Sequence, residues 1–238
     1  MEMKLFLREP MAAFFTLVFP LMMLFLFGSI YGNKPSPFFG GYGSVDISVP
    51  SYTALIIATS GLIGLTIVLS TYREMGILRR LKATPLQPQT ILTSQVFVIF
   101  VMTTLGMALL IIAAKIVYNL KFDGSVMNVL VAFVLGSLSF FAIGFVLASL
   151  TPTARSAQVI AMVLFYPMIF LSGATIPREV LPEAVRSYAQ ILPLTHVVNL
   201  LRGLWIGDSL AAHFREIIIL ITILFLGVAV SIKTFRWE

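Results

Sequence analysis

Long apolar runs dominate this chain and constrain its fold more than any other feature. Six of them approach or exceed the length of about 20 residues that one bilayer crossing requires. Apolar residues make up 59% of the chain and charged residues 11%, against about 45–50% and about 25% in soluble domains. The sequence therefore predicts an all-α integral membrane protein with six transmembrane helices in one domain, residues 1–238, and no soluble catalytic domain.

The predicted spans differ in the residues that interrupt them. Pro20 predicts a kink in the first span. The second span carries hydroxyl side chains together with Gly61 and Gly64, and such residues either pack against other helices or line a translocation path. Small residues along one ridge of the fourth span, broken by Phe140, favour close helix packing. The ridge consists of Ala132, Gly136, Gly144 and Ala148. The predicted spans are residues 11–31, 51–72, 90–117, 126–150, 157–172 and 216–232.

Two segments outside the spans also predict helices. In residues 1–10, Lys4 and Arg8 share one helical face and apolar side chains lie between them, which favours an interfacial helix over a tail that only carries charge. Residues 175–213 are too polar to span and too apolar for a free loop. They predict an outer re-entrant hairpin of two short helices, broken at Pro193, between the fifth and sixth spans.

The distribution of charge predicts the orientation of the chain. Six spans place both termini on one side, and the segments on that side hold nine basic and four acidic residues, against seven and six on the other. Because basic residues concentrate on the cytoplasmic side, we expect both termini and the loop at 73–88 in the cytoplasm. This bias accounts for the net charge of +6 without nucleic acid as a partner. We expect a multi-pass protein of the plasma membrane, specifically a prokaryotic inner membrane.

The sequence lacks the residues that most catalytic or ion-coupled sites require. It contains no cysteine, no phosphate-binding loop and no hydrolase motif. Its two histidines, His196 and His213, lie outside any metal-ligand spacing, and His196 is interpreted as structural. The spans hold no charged residue away from their ends, which ion-coupled carriers usually need. We therefore expect no enzymatic activity, metal or cofactor on this chain, and an energy source outside it.

The loop at 73–88 is the densest basic segment of the chain. As one helix, it would place Ile77, Leu78 and Leu81 on a common arc near Glu74, and Pro85 and Pro88 would end it. Such a helix either lies on anionic lipid or inserts its apolar arc into a groove on a partner protein, and composition alone favours lipid. Its basic residues are Arg73, Arg79, Arg80 and Lys82.

Three motifs, in chain order, resemble permeases of the type-2 ABC exporter superfamily, including multidrug and daunorubicin-type efflux permeases. Arg8-Glu9-Pro10 resembles the N-terminal interfacial helix, which is shorter here. Tyr-Arg-Glu-x-Gly-x-Leu-x-x-Leu-x-x-Thr-Pro at 72–85 is similar to the cytoplasmic segment after the second span. Phe-Leu-Ser-Gly-Ala-x-x-Pro at 170–177, with Leu-Pro-Leu-Thr at 192–195 and Leu-Arg-Gly-Leu at 201–204, is similar to the outer re-entrant region.

This resemblance implies a homodimer of permease subunits that works with two separate ABC ATPase subunits, which bind ATP and Mg²⁺. In the family, the loop helix docks on the ATPase and substrate passes along the subunit interface, between the second and fifth spans. The implied ATPase interface is Arg73, Glu74, Gly76, Ile77, Leu78, Arg79, Leu81, Thr84 and Arg155. The implied substrate path is Tyr52, Thr59, Thr66, Phe165, Tyr166 and Phe170.

The expected function is export of a hydrophobic or amphiphilic molecule, a drug or a lipid. No large exterior domain is present, and Trp205 and Trp237 lie near interfaces and form no carbohydrate-stacking array. Two alternatives stay open. One is a subunit that exports a polysaccharide or lipid-linked glycan. The other is a non-transporting membrane anchor or sensor whose basic loop binds lipid or a signalling partner.

Overall fold

The computed structural model describes residues 14–77, 88–175 and 181–234, and within these ranges the chain forms helices and loops without strands. Six of the helices are long and apolar enough to cross a membrane, which confirms the predicted all-α, six-span architecture. The predicted interfacial helix at 1–10 lies outside the described residues. The helices are α1 Phe14–Tyr31, α2 Ser44–Glu74, α3 Pro88–Tyr118, α4 Val126–Leu150, α5 Ala154–Leu171, α6 Glu183–Ala189, α7 Pro193–Trp205 and α8 Phe214–Thr234.

Helix α2 forms the centre of the subunit. It packs against α1, α3, α4, α5 and α7, and nearly all of it is buried, whereas little of α8 is buried. Helix α8 lies mainly along α4. The hydroxyls and glycines of α2 therefore face neighbouring helices on every side. A helix that is apolar all round is expected in such a central position.

The observed α2 begins at Ser44, seven residues before the predicted start of the second span at 51. Pro50, which directly precedes the predicted span, lies inside the observed helix. It removes one intrahelical hydrogen bond, but the turn before it is held by Asp46. The Asp46 carboxylate reaches back to the backbone N–H of Gly43, the N-cap residue, at 3.0 Å. This is half of a capping box.

The buried Asp46 carboxylate connects three segments at this end of the bundle. Its Oδ1 accepts hydrogen bonds from Asn33 Nδ2 at 2.8 Å and from the backbone N–H of Lys121 at 2.9 Å, and its Oδ2 accepts from Gly43. The backbone carbonyl of Lys121 accepts in turn from Trp205 Nε1 at 3.1 Å. The loop after α1, the turn after α3 and the end of α7 are thereby joined to the start of α2.

Two short helices, α6 and α7, lie between α5 and α8, as the sequence predicts. Pro193 is the first residue of α7, a position where its missing N–H costs little. Ten of the 13 residues of α7 are buried, and the helix packs against α2, α4 and α8. Their re-entry into the membrane stays a prediction.

Candidate functional site: the basic end of the bundle

The ends of α2, α4 and α8 and the start of α5 meet at one end of the bundle, which we call the basic end. Among the described residues, its charged side chains are the cations Arg73, Arg155 and Lys233 and the carboxylate of Glu74. Residues 78–87, most of the predicted loop helix, would continue from this end and lie outside the described residues. The structure therefore brings together the flanks of the predicted ATPase interface.

Glu74 connects the last residue of α2 to the first residue of α5. Its Oε2 accepts a hydrogen bond of 2.7 Å from the backbone N–H of Ala154. This N–H is one of the donors that a helix N-terminus leaves without an intrahelical acceptor, and a carboxylate there also favours the helix dipole. Thr153 caps the same turn, because its Oγ1 accepts from the N–H of Ser156 at 3.2 Å.

Arg73 makes the matching contact to α4. Its guanidinium donates a hydrogen bond of 3.1 Å to the backbone carbonyl of Ser149, the residue before the last of α4. A cation at the carbonyl end of a helix is favourable for the same electrostatic reason. The Ser149 hydroxyl lies 2.7 Å from the Thr234 hydroxyl at the end of α8. Two consecutive residues, Arg73 and Glu74, thus attach α2 to both α4 and α5.

Gly76 ends α2 and changes the direction of the chain. Its φ is +64°, a left-handed conformation that glycine adopts at little cost, and its N–H donates to the Arg73 carbonyl at 3.0 Å. The predicted single loop helix starting near Arg73 therefore differs from the structure: Arg73 and Glu74 belong to α2, and Ile77 follows the turn. No atom lies within 4 Å of the position a Gly76 Cβ would take, so the turn, and not close packing within this chain, requires glycine.

The remaining predicted interface residues fall into two groups. Arg155 is exposed, at the second position of α5, next to the Ala154 N–H that Glu74 binds. The others lie outside the described residues, and their contact with an ATPase stays a prediction. They are Leu78, Arg79, Leu81 and Thr84.

The predicted substrate-path residues separate into buried and exposed positions. Tyr52, Thr59 and Thr66 on α2 and Phe165 on α5 are buried inside the subunit. The Thr59 hydroxyl donates to the Leu55 carbonyl of its own helix at 2.8 Å. In contrast, Tyr166 and Phe170 are 46% and 50% exposed on the surface of α5. A role of any of the six in substrate passage stays a prediction.

Helices α2 and α4 cross at backbone distance, where a π-helical stretch of α2 covers Thr59–Leu65. A Cβ on Gly61 would lie 2.7 Å from the Phe140 carbonyl oxygen, and a Cβ on Gly144 would overlap the Gly61 carbonyl oxygen. The Thr66 hydroxyl lies 3.2 Å from the Gly144 carbonyl oxygen and 3.4 Å from that of Gly61. We call these three residues, Gly61, Gly144 and Thr66, the glycine crossing. The close packing predicted for the fourth span is confirmed here, but its partner segment was not predicted.

The described residues show two further features of the candidate chemistry. They contain no group of three or more His, Cys, Asp or Glu side chains that could hold a metal ion. His196 is buried, and its Nε2 lies 2.9 Å from the Gln190 carbonyl oxygen, in agreement with its structural interpretation.

Sequence reasoning missed Asp46, although an acidic residue three positions after Gly43 is a recognisable helix-start signal.

Comparison with known proteins identifies a matching family and several relatives. The family model described as ABC-2 type transporter matches residues 1–205. The chain is 25% identical over 161 residues to the probable multidrug ABC transporter permease YbhR of Escherichia coli K12, covering 68% of this chain and 44% of the relative. It is 34% identical over 92 residues to nodulation protein J of Rhizobium leguminosarum bv. viciae, covering 37% and 36%. The inner membrane transport permease YhhJ of E. coli K12 is 23% identical over 167 residues, covering 68% and 42%. The matches thus span less than half the length of each of these relatives.

Proposed function

The chain belongs to the ABC-2 type transporter family, and we propose that it is the permease subunit of an ATP-driven exporter. Two copies pair, and two separate ATPase subunits bind ATP and Mg²⁺ and supply the energy. The basic end faces the cytoplasm, in keeping with the positive-inside rule. The exported molecule is hydrophobic or amphiphilic, a drug or a lipid, by analogy with the multidrug permease relative.

The attachment of α2 to α4 and α5 at the basic end carries this proposal. An ATPase that displaces the loop after Gly76 moves the end of α2 directly. The Arg73 contact to Ser149 passes that displacement to α4, and the Glu74 contact to Ala154 passes it to α5. Since α2 packs in addition against α1, α3 and α7, its movement reaches most of the subunit.

The exposed face of α5 is the proposed wall of the substrate path. Val163, Tyr166 and Phe170 are all exposed, and their spacing of three and four residues places them on one helical face. Pro167 lies inside α5 and lacks the N–H that would bond the Val163 carbonyl. This leaves a polar atom and a flexible point beside two aromatic rings. The combination suits an amphiphilic substrate and a helix that changes its bend during transport.

The proposal is tested by reconstituting the full chain with its cognate ATPase subunit and measuring complex formation, ATP hydrolysis and export. Glu74→Lys places a cation at the start of α5, and Leu78→Asp places a charge on the predicted apolar arc of the loop. We expect both to lose export and transport-coupled hydrolysis. Glu183→Lys, an exposed charge reversal at the opposite end, is the matched control and should leave both unchanged.

Two results would contradict the proposal. If both variants keep normal complex formation, hydrolysis and export, the basic end is not where the ATPase acts. If no ATPase subunit binds the wild-type chain at all, the chain works instead as an anchor or sensor.

A further inference from the structure

A cavity of about 550 Å³ opens at the basic end, between the ends of α2, α4 and α8. Its lining includes Arg73 from α2, Ser149 and Leu150 from α4, and Lys233 and Thr234 from α8. Glu74 and Ala154, which make the contact between α2 and α5, do not line it. The cavity is therefore a separate feature of the same end of the bundle.

Within the part of the chain that the structure describes, the two charged side chains that line this cavity are cations. The Arg73 guanidinium uses one N–H to bind the Ser149 carbonyl, and its fork of donors leaves further N–H groups for an anion. Lys233, near the end of α8, adds an ammonium on a flexible stem. The hydroxyls of Ser149 and Thr234 lie 2.8 Å each from carbonyl oxygens of their own helices and 2.7 Å from one another, so both are engaged in contacts within the protein. An anion in this cavity would thus be bound by the two cations. Guanidinium and ammonium groups bind phosphate oxygens in this way.

An apolar surface leads from the cavity along α8. Val230 and Leu226 lie four and eight residues before Thr234, so the three share one ridge of the helix. Their side chains are 39% and 61% exposed, and Leu150 at the cavity edge is 62% exposed. On a membrane-spanning helix, such a ridge is a surface for acyl chains. The cation-lined cavity and an exposed apolar ridge are therefore adjacent.

We propose that this cavity binds the phosphate of an anionic membrane phospholipid between Arg73 and Lys233, with an acyl chain along Leu226 and Val230. Among the described residues the lining holds two cations and no acidic side chain, which favours a net anionic headgroup over a zwitterionic one, whose ammonium the cations would repel. In the orientation of the proposed function, on which this placement depends, the lipid belongs to the cytoplasmic leaflet. Binding itself depends only on the cavity.

The test measures lipid binding to the full chain purified in detergent, by native mass spectrometry. The probes are phosphatidylglycerol, phosphatidylethanolamine and inorganic phosphate. We expect phosphatidylglycerol to bind, phosphatidylethanolamine to bind more weakly, and inorganic phosphate not to displace the lipid. Arg73→Gln and Lys233→Gln should each weaken phosphatidylglycerol binding about fivefold. Arg155→Gln removes a cation from the same end outside the cavity and should change the affinity less than about twofold.

Three results would overturn the proposal. An equal loss in Arg155→Gln would show diffuse attraction to a basic surface. Unchanged binding in Lys233→Gln, an exposed position where misfolding is not expected, would show that the lipid lies elsewhere. Displacement by inorganic phosphate at comparable concentration would assign the cavity to a soluble anion. None of these measurements involves an ATPase, so their failure is distinguishable from failure of the exporter proposal.

Discussion

The carboxylate of Glu74, the last residue of α2, accepts a 2.7 Å hydrogen bond from the backbone N–H of Ala154, the first residue of α5. Only the turn at Gly76 separates Glu74 from the predicted ATPase-contacting loop. Helix α5 carries the exposed aromatics Tyr166 and Phe170 near its other end. One side chain thus connects the segment where energy is proposed to enter with the helix proposed to line the substrate path.

The glycine crossing is expected to determine the stability of the subunit. Gly144→Ala introduces a methyl group that overlaps the Gly61 carbonyl, and backbone atoms cannot move aside without separating α2 from α4. We expect a loss of about 1–3 kcal/mol in the free energy of unfolding, measured by reversible denaturation in detergent.

Gly136→Ala is the matched control for this prediction. It lies on the same helix, but its new Cβ would meet side-chain methyl groups of Val197 and Ile57, the nearest at 3.2 Å. These can shift, so the loss should be clearly smaller. Equal stability of the two variants would contradict the glycine crossing as a rigid contact.

The buried carboxylate of Asp46 is expected to hold the opposite end of the bundle together. Asp46→Ala leaves three donors without their acceptor, those of Asn33, Gly43 and Lys121. Because each buried group left unsatisfied costs about 1–3 kcal/mol, we expect the free energy of unfolding to fall by about 3 kcal/mol or more. Thermal denaturation in detergent measures this, with Glu183→Ala, an exposed acidic position, as control. A change no larger than in the control would show that Asp46 is not needed.

Gly76 is expected to act through backbone conformation alone. At φ +64°, Gly76→Ala costs about 1–2 kcal/mol, although no atom obstructs the new methyl group. Asparagine tolerates the same conformation, so Gly76→Asn should bind the ATPase subunit nearly as wild type does, while Gly76→Ala binds more weakly. Affinity measured by titration of the purified subunits tests the difference. If alanine and asparagine behave alike, the turn does not position the loop.

The buried and the exposed aromatic residues of α5 should respond to substitution in opposite ways. Phe165 is buried, 1% exposed, so Phe165→Ala should lower stability by about 3–5 kcal/mol. Tyr166 and Phe170 are half-exposed, so their alanine variants should keep normal stability and lose export of a hydrophobic substrate. Melting temperature and transport into inverted vesicles separate the two effects. Normal export in both exposed variants would remove this face of α5 from the substrate path.

Sequence alone predicts the six spans and places the fourth one at its observed bounds, 126–150, because polar turns border that apolar run on both sides. The start of α2 is missed by seven residues, since Pro50 and the nearby glycines have the composition of a loop. The Asp46 carboxylate holds the turn before Pro50, and its partners Asn33 and Lys121 come from distant parts of the chain. Such contacts leave no local signal.

The candidate site is predicted less completely than the fold. Resemblance marks Arg73, Glu74 and Arg155, and the structure places all three at the basic end. The resemblance does not indicate that Glu74 binds the α5 backbone, because the backbone N–H is the same in every residue type except proline. From the sequence, the hydroxyl side chains of α2 could either pack against other helices or line the substrate path. Thr59 and Thr66 are buried among the neighbouring helices of the subunit, which residue type alone does not reveal, and their role in a path stays a prediction.

The most direct test of the account uses Ala154→Pro, which removes the N–H that Glu74 binds and leaves the Glu74 side chain in place. Proline is favourable at the first position of a helix, and Thr153, at φ −132° and ψ 157°, already has the extended conformation required before proline. Val126→Pro makes the same change at the first position of α4, at the opposite end, and is the control.

The deciding measurement is substrate-stimulated ATP hydrolysis in the reconstituted complex of Ala154→Pro, Glu74→Ala and the double variant. If the Glu74–Ala154 hydrogen bond transmits movement from α2 to α5, each single variant loses stimulation while ATPase binding persists. The double variant then loses no more than either single one, and Val126→Pro stays normal. Full stimulation in Ala154→Pro, or strictly additive losses in the double variant, would contradict the account.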